Sequence, residues 1–174
     1  MSILDQALSL ADRVRSPREV RAHCDIPCGI YDPHMAQVAA LTVVRMVQLI
    51  QGLQPPGEGM SKEQVDTYAM QISRYTATKE QHAALCEHEL VVLWTDYFKP
   101  EHLQQFPNLH DTFWQAMKLT STVKQQVNMD ASQQLLAACQ NIAEIFWQTK
   151  GVQTRRQPSN QGAAGGEFVY PVAG

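Results

Sequence analysis

The sequence has little of three things. Aromatic residues make up only 7% of its 174 positions, the four cysteines fall at positions 24, 28, 86 and 139, and every apolar run is soon broken by Gln, Arg or Thr. A membrane span needs about 20 nearly uninterrupted apolar residues, so no membrane partner is expected. Thiols this sparse and uneven do not form the framework of a small disulfide-stapled secreted domain, which points to a reducing compartment, the cytoplasm. A basic excess is also missing: 14 Lys and Arg face 17 Asp and Glu, a formal net charge of −3, so nothing neutralises a run of phosphates and no nucleic-acid partner is expected. What is present, 44% hydrophobic residues, suits one globular domain with tails.

Residues 1–22 do not form a conventional export signal, because Asp5, Asp12, Arg13 and Arg15 interrupt the apolar stretch. Leu4, Ala7, Leu8, Ala11 and Val14 recur at helical spacing, which allows a short amphipathic helix. Further on, Asp32-Pro33 reads as a helix start. A helix is expected from Pro33 to Leu53, with Ala36, Ala39, Ala40, Val43, Met46, Val47 and Ile50 on a wide apolar face. Gln54-Pro55-Pro56-Gly57 stops it, and Ser61 with Gln64 supplies a capping box for the next.

The second helical segment runs from Lys62 toward Phe98, kinked or split on the way, and Lys99-Pro100 ends it. Pro107-Asn108 opens a third segment carrying Phe113, Trp114, Met117 and Val123. In a fourth, from Ala131 to Lys150, Leu135, Cys139, Ile142 and Phe146 share a stripe and Gly151 is placed to cap the end. No segment alternates with period two. Four helices joined by short connections predict an all-α fold, an antiparallel up-down four-helix bundle over 33–151. The glycine-rich tail, 152–174, is expected to be mobile, with a docked extended piece at Phe168, Val169 and Tyr170 as the alternative.

Chemistry concentrates in His23-Cys24-Asp25-Ile26-Pro27-Cys28-Gly29-Ile30-Tyr31-Asp32-Pro33. The proline and glycine point to a tight turn that can bring both sulfurs to one point. Read by spacing alone, Cys24 and Cys28 are equally well a local disulfide or ordinary buried thiols. Cleavage between Ala22 and His23 would change the site. A free α-amine on His23 and the amide nitrogen of Cys24 close one chelate ring, and that nitrogen with the Cys24 sulfur closes a second. Cys28 then completes a planar set of two nitrogens and two thiolates, which suits Ni(II) or Cu(II) better than tetrahedral zinc, and leaves the His23 imidazole for an axial position. Because the amine and thiols must lose protons to bind, metal loading is expected to weaken as pH falls.

This segment resembles the amino-terminal nickel hook of the nickel-containing superoxide dismutases, whose processed chains begin His-Cys-Asp and continue Pro-Cys-Gly before Tyr-Asp-Pro. Val92-Leu93-Trp94-Thr95-Asp96-Tyr97-Phe98-Lys99-Pro100 is similar to the family's Trp-x-Asp-Tyr-Phe-Lys-Pro element, and the likeness continues through Ile145-Phe146-Trp147-Gln148-Thr149-Lys150. The resemblance implies conversion of superoxide to dioxygen and hydrogen peroxide by Ni(III)/Ni(II) cycling, with one nickel ion per subunit, no organic cofactor, and a homohexamer of bundles. It implies the metal ligands His23, Cys24 and Cys28. Tyr31, Tyr97 and Lys99 would be the catalytic side chains around the open face, with Asp25 and Pro27 holding the hook and Asp96 in support. Residues 1–22 would be a propeptide removed by a maturation protease. In one respect the chain departs from its relatives: many carry a Glu in the first helix and an Arg in the second, where Ala39 and His82 stand here, and His82 is the candidate to take over part of that role.

Two other readings compete. One is a nickel-binding storage or delivery protein without turnover, favoured by a closed site. The other is a helical interaction module with a redox-sensitive Cys24–Cys28 pair, favoured by an uncut functional chain. A zinc half-site at His82, Cys86 and Glu89 is a lesser candidate, against the plainer reading of Cys86 and Cys139 as packed apolar residues.

Overall fold

The computed structural model describes residues 29–172. Four long helices carry it: α1 (His34–Gln51), α2 (Lys62–Val92), α4 (Leu109–Gln125) and α5 (Met129–Thr149), with a single short turn of helix, α3 (His102–Gln105), between α2 and α4. Helix α1 packs on α2, α2 on α4, α4 on α5, and α5 closes back on α1. That is the up-down four-helix bundle the spacing predicts.

The helix ends follow from local chemistry. Asp32 Oδ1 accepts from the His34 N–H at 2.7 Å ahead of α1. At α2 the Ser61 and Gln64 side chains each accept from the other's backbone N–H, satisfying two donors that a helix start leaves unpaired. Helix α5 ends in a Schellman motif, with the Gly151 and Val152 N–H groups donating to Gln148 O and Trp147 O, both at 3.0 Å, and Gly151 at φ +69°. Lys79 closes α4 from outside that helix. It is 1% exposed and its ammonium donates to the carbonyls of Val123 and Lys124, two of the acceptors a helix end leaves open.

Two features depart from the expectation. The α-helical path of α2 stops at Val92, and Leu93–Tyr97 winds wider as a π turn closed by the Phe98 N–H on Leu93 O at 3.0 Å. The larger difference is the tail. Residues expected to be mobile form β1 (Thr154–Pro158) and β2 (Glu167–Pro171), an antiparallel pair in which Arg156 faces Val169. Phe168 and Val169 are each 2% exposed against the bundle. The glycines that suggested looseness serve the turn: Gly165 and Gly166 both have positive φ, and a Cβ on Gly166 would sit 3.0 Å from Leu41 Cδ1. The docked piece at Phe168 to Tyr170 is therefore the arrangement adopted.

The wide apolar face of α1 is spent inside the chain. Ala36, Ala39, Ala40, Val43 and Val47 are at most 1% exposed, within a core that includes Phe113, Leu135, Ile142 and Phe146.

Candidate functional site

His23, Cys24, Asp25, Pro27 and Cys28 lie outside the described residues, as do Met1 to Ala22. The first described residues, Gly29 to Asp32, lead from that segment into α1. Tyr31 is half-buried, and its ring lies 5.6 Å from that of Tyr97, centroid to centroid. The two expected tyrosines therefore meet, one from the root of the amino-terminal segment and one from the π turn that ends α2.

Tyr97 sits in an aromatic nest. Phe146 of α5 is 4.4 Å from it, Phe98 5.0 Å, and His102 of α3 stacks on it at 5.8 Å with an 18° interplanar angle. The Tyr97 hydroxyl is hydrogen-bonded to Thr149 Oγ1 at 2.6 Å. Above the nest the Lys150 ammonium lies 4.5 Å from the Phe146 ring centroid and 5.5 Å from those of Tyr97 and Trp147. Cations at such distances are drawn to the negative faces of the rings. Lys99, two residues past Tyr97, is exposed, and its backbone N–H donates to His102 Nδ1 at 3.1 Å. Lys99 and Lys150 thus stand at this end beside the acidic Asp96 and Glu101.

The other candidates separate. Trp94 packs flat on Phe113, ring centroids 5.7 Å apart, and donates to His110 Nδ1 at 2.9 Å, which is the packed-helix reading. Asp96 differs: its Oδ2 is buried with no hydrogen-bond partner among the described residues. An orphaned carboxylate oxygen costs about 1–3 kcal/mol or more, so it calls for a donor from outside that set. Ala39 is fully buried in α1 and can hydrogen-bond nothing with its side chain. His82 Nδ1 pairs with Thr78 O of its own helix at 2.9 Å.

Among the described residues no group of three or more His, Cys, Asp or Glu is arranged to hold a metal ion, which removes the zinc half-site at His82, Cys86 and Glu89. Cys86 is occupied otherwise: its sulfur lies 3.5 Å from that of Cys139, both buried between α2 and α5. The hydrogen bond to Cys86, together with burial, holds the Cys139 thiol well above its usual range. The remaining donor set of residues 23 to 28, an imidazole, two thiols and an amide nitrogen, matches nickel's preference for nitrogen and sulfur ligands.

Thr149, Lys150 and His102 were not singled out as functional by sequence reasoning. The Phe146/Lys150 spacing of one helical turn was the available signal, since it places a cation over a ring. Nothing local announced that Thr149 would meet Tyr97.

An open cleft of about 320 Å³ adjoins this end, lined by Ile30, Tyr31, Asp32, Met35, His88 and Glu89 among others, with Ile30 74% and Met35 48% exposed. No helix among the described residues is long and apolar enough to cross a membrane.

Known proteins match both the sequence and this geometry. The profile of the family described as nickel-containing superoxide dismutase matches residues 18–150. The nickel superoxide dismutase of Streptomyces seoulensis is 39% identical over 142 residues, covering 81% of this chain and 98% of that protein, and the Streptomyces coelicolor enzyme is 34% identical over the same length. A native nickel superoxide dismutase structure superposes with a TM-score of 0.63 at 35% identity, covering 74% of this chain and 99% of that one. With the family profile, the sequence identity and the superposed fold agreeing, the chain belongs to the nickel-containing superoxide dismutase family.

Proposed function

We propose that the protein is a nickel superoxide dismutase matured by cleavage between Ala22 and His23. The observation that carries this reading is the Tyr31–Tyr97 contact, with Lys150 5.5 Å from the Tyr97 ring, which we read as a gate at the root of the hook segment. Gly29 and Ile30 alone separate Cys28 from Tyr31, and three residues reach at most about 11 Å, so chain connectivity keeps any ion held by Cys28 near this gate.

The His23 amine and imidazole, the Cys24 amide nitrogen and thiolate, and the Cys28 thiolate would hold nickel, which would supply a one-electron couple for oxidising one superoxide to dioxygen and reducing a second, with two protons, to hydrogen peroxide. The chain's own residues do the rest. Lys99 and Lys150 bias approach toward a small anion. Tyr31 and Tyr97 narrow the entrance and order water. Asp96 Oδ2, without a partner among the described residues, would take a backbone N–H of the hook as its donor and so hold the hook against the π turn. With Ala39 and His82 in place of the Glu and Arg that many relatives carry, α1 would offer the His23 imidazole no carboxylate partner. A storage or delivery role is disfavoured because it needs neither a tyrosine pair nor lysines at the root of the hook segment.

The exposed Ile30 and Met35 beside the 320 Å³ cleft support burial of this end against neighbouring copies in a homohexamer. The buried, reduced Cys86 and Cys139 pair supports the cytoplasm as the compartment.

The test is purification of active protein with intact mass, amino-terminal sequencing, metal analysis and a dismutase assay. The expected outcome is a chain beginning at His23, one nickel per subunit, an assembly of six subunits, and loss of nickel and activity in Cys24→Ser. Activity from the uncut chain, or a nickel-replete and active Cys24→Ser variant, refutes it.

A further inference from the structure

Thr149 has one hydroxyl proton and two neighbours that compete for it. The Phe146 carbonyl lies 2.7 Å away and the Tyr97 hydroxyl 2.6 Å away. A carbonyl oxygen only accepts, and Phe146 belongs to the last turn of α5, where no following helical N–H remains to satisfy its carbonyl. The backbone N–H groups just past the helix go elsewhere: Lys150 and Val152 donate to Trp147 O and Gly151 to Gln148 O. Without the Thr149 proton, the Phe146 carbonyl and the Thr149 oxygen would face each other as lone pairs at 2.7 Å. The proton therefore belongs to the Phe146 contact, and in the second contact Tyr97 must be the donor.

We infer that Thr149 is a positioning residue that fixes the polarity of the Tyr97 hydroxyl: the phenol spends its proton on Thr149 and offers only lone pairs to any further group that approaches it. Two further contacts keep the ring from turning away. His102 stacks on one side, and Lys150 lies near the ring. Tyr97 thus orders water by accepting a hydrogen bond from it. It does not hand its own proton to the reduced substrate, so the protons that complete hydrogen peroxide come by another route. With that polarity no anion, superoxide included, takes a hydrogen bond from Tyr97, so attraction of the substrate is left to Lys99 and Lys150. This rests on the dismutase reading only for its consequence; the hydrogen-bond assignment stands on the side chains alone.

The experiment separates the two. Raman spectra of the metal-free protein, with the Tyr97 contribution isolated by difference against Tyr97→Phe, report through the tyrosine Fermi doublet whether the phenol donates or accepts. The expected result is a donor signature in the wild-type chain and in Thr149→Ser, lost in Thr149→Val. In nickel-loaded protein, inhibition by azide is expected to tighten several-fold in Thr149→Val, because the freed phenol proton can now donate to the anion, and to stay at the wild-type level in Thr149→Ser. An acceptor signature in the wild type, or a Val variant whose doublet and azide affinity match wild type, overturns the inference. A nickel-loaded protein without dismutase activity but with the donor signature would instead overturn the functional reading and leave the assignment standing.

Discussion

The gate at the end of α2 and the carboxy-terminal hairpin are both held to the same helices, and they are held by opposite means. At the gate, side chain meets side chain: Tyr97 finds Thr149, Phe146 and Tyr31, so the identity of each residue matters. The hairpin is gripped largely through its backbone, besides the Arg156 side chain, which donates to Glu144 Oε1 at 2.7 Å and Gln140 Oε1 at 3.1 Å. Gln37, fully buried on α1, donates to Val169 O at 3.2 Å and accepts from the Val169 N–H at 2.7 Å, acting as a neighbouring strand would. Gln140 on α5 donates to Glu167 O at 2.7 Å, and Gln48 to Ala164 O at 3.3 Å. Those hairpin atoms are ones that every non-proline residue carries, so the hairpin's own sequence carries little trace of them. Phe168 and Val169 contribute its buried apolar side chains, and Ser159 a buried hydroxyl.

The largest expected effect falls on the larger of these anchors, Phe168. Phe168→Ala should cost about 3–5 kcal/mol in urea unfolding, as for other buried aromatic truncations. If it costs much less, the hairpin is held by its backbone alone. Gln37→Leu comes next. It keeps the volume but strands a buried N–H and a buried C=O on Val169, at about 1–3 kcal/mol for each group left unmade. Hydrogen exchange at the Val169 amide should accelerate in step, and exchange unchanged from wild type would mean that Gln37 does not hold the strand.

Tyr97→Phe sharpens the contrast from the other side. Its phenol is half-buried and Thr149 keeps the Phe146 carbonyl as partner, so stability should fall by only about 0.5–1.5 kcal/mol while dismutase turnover drops at unchanged nickel content. A stability loss as large as that of Gln37→Leu would show the gate to be a structural clamp.

The smallest effect is one of pH. Burial pushes the Lys79 amine below its ordinary value near 10.5, an effect partly opposed by Glu80. Between that depressed value and the ordinary lysine range the unfolded chain binds more protons than the folded one, so stability gains with rising pH across this window. Below the window both states are protonated and the desolvation cost is present in full. In Lys79→Met that gain should vanish, which urea melts on the alkaline side, compared with wild type at each pH, would detect. An identical slope in the two proteins would show that Lys79 is not desolvated.

Much of the frame was legible because it is written in residues close to one another. Ser61 and Gln64, Asp32 and Pro33, and Gly151 each act within one turn of chain, and each appears where expected. The amphipathic stripes likewise announce which faces of α1 and α5 are buried. The second helix was expected to kink or split but not to wind as a π turn, since Leu93–Tyr97 shows no local breaker before Lys99-Pro100. Lys79 was invisible for a different reason. A lysine reads as a surface residue until the end of another helix is brought against it.

By itself the sequence determined the four helices, their up-down order and the hook motif with its donor chemistry, because periodicity, caps and ligand spacing are short-range properties of the chain. Only the tertiary structure decided that Tyr31 meets Tyr97, that Thr149 directs the Tyr97 proton, and that a glycine-rich tail becomes a docked hairpin. Each of these depends on atoms from distant parts of the chain arriving at one place, and a hydrogen bond or a buried ring has no signature until its partner is there.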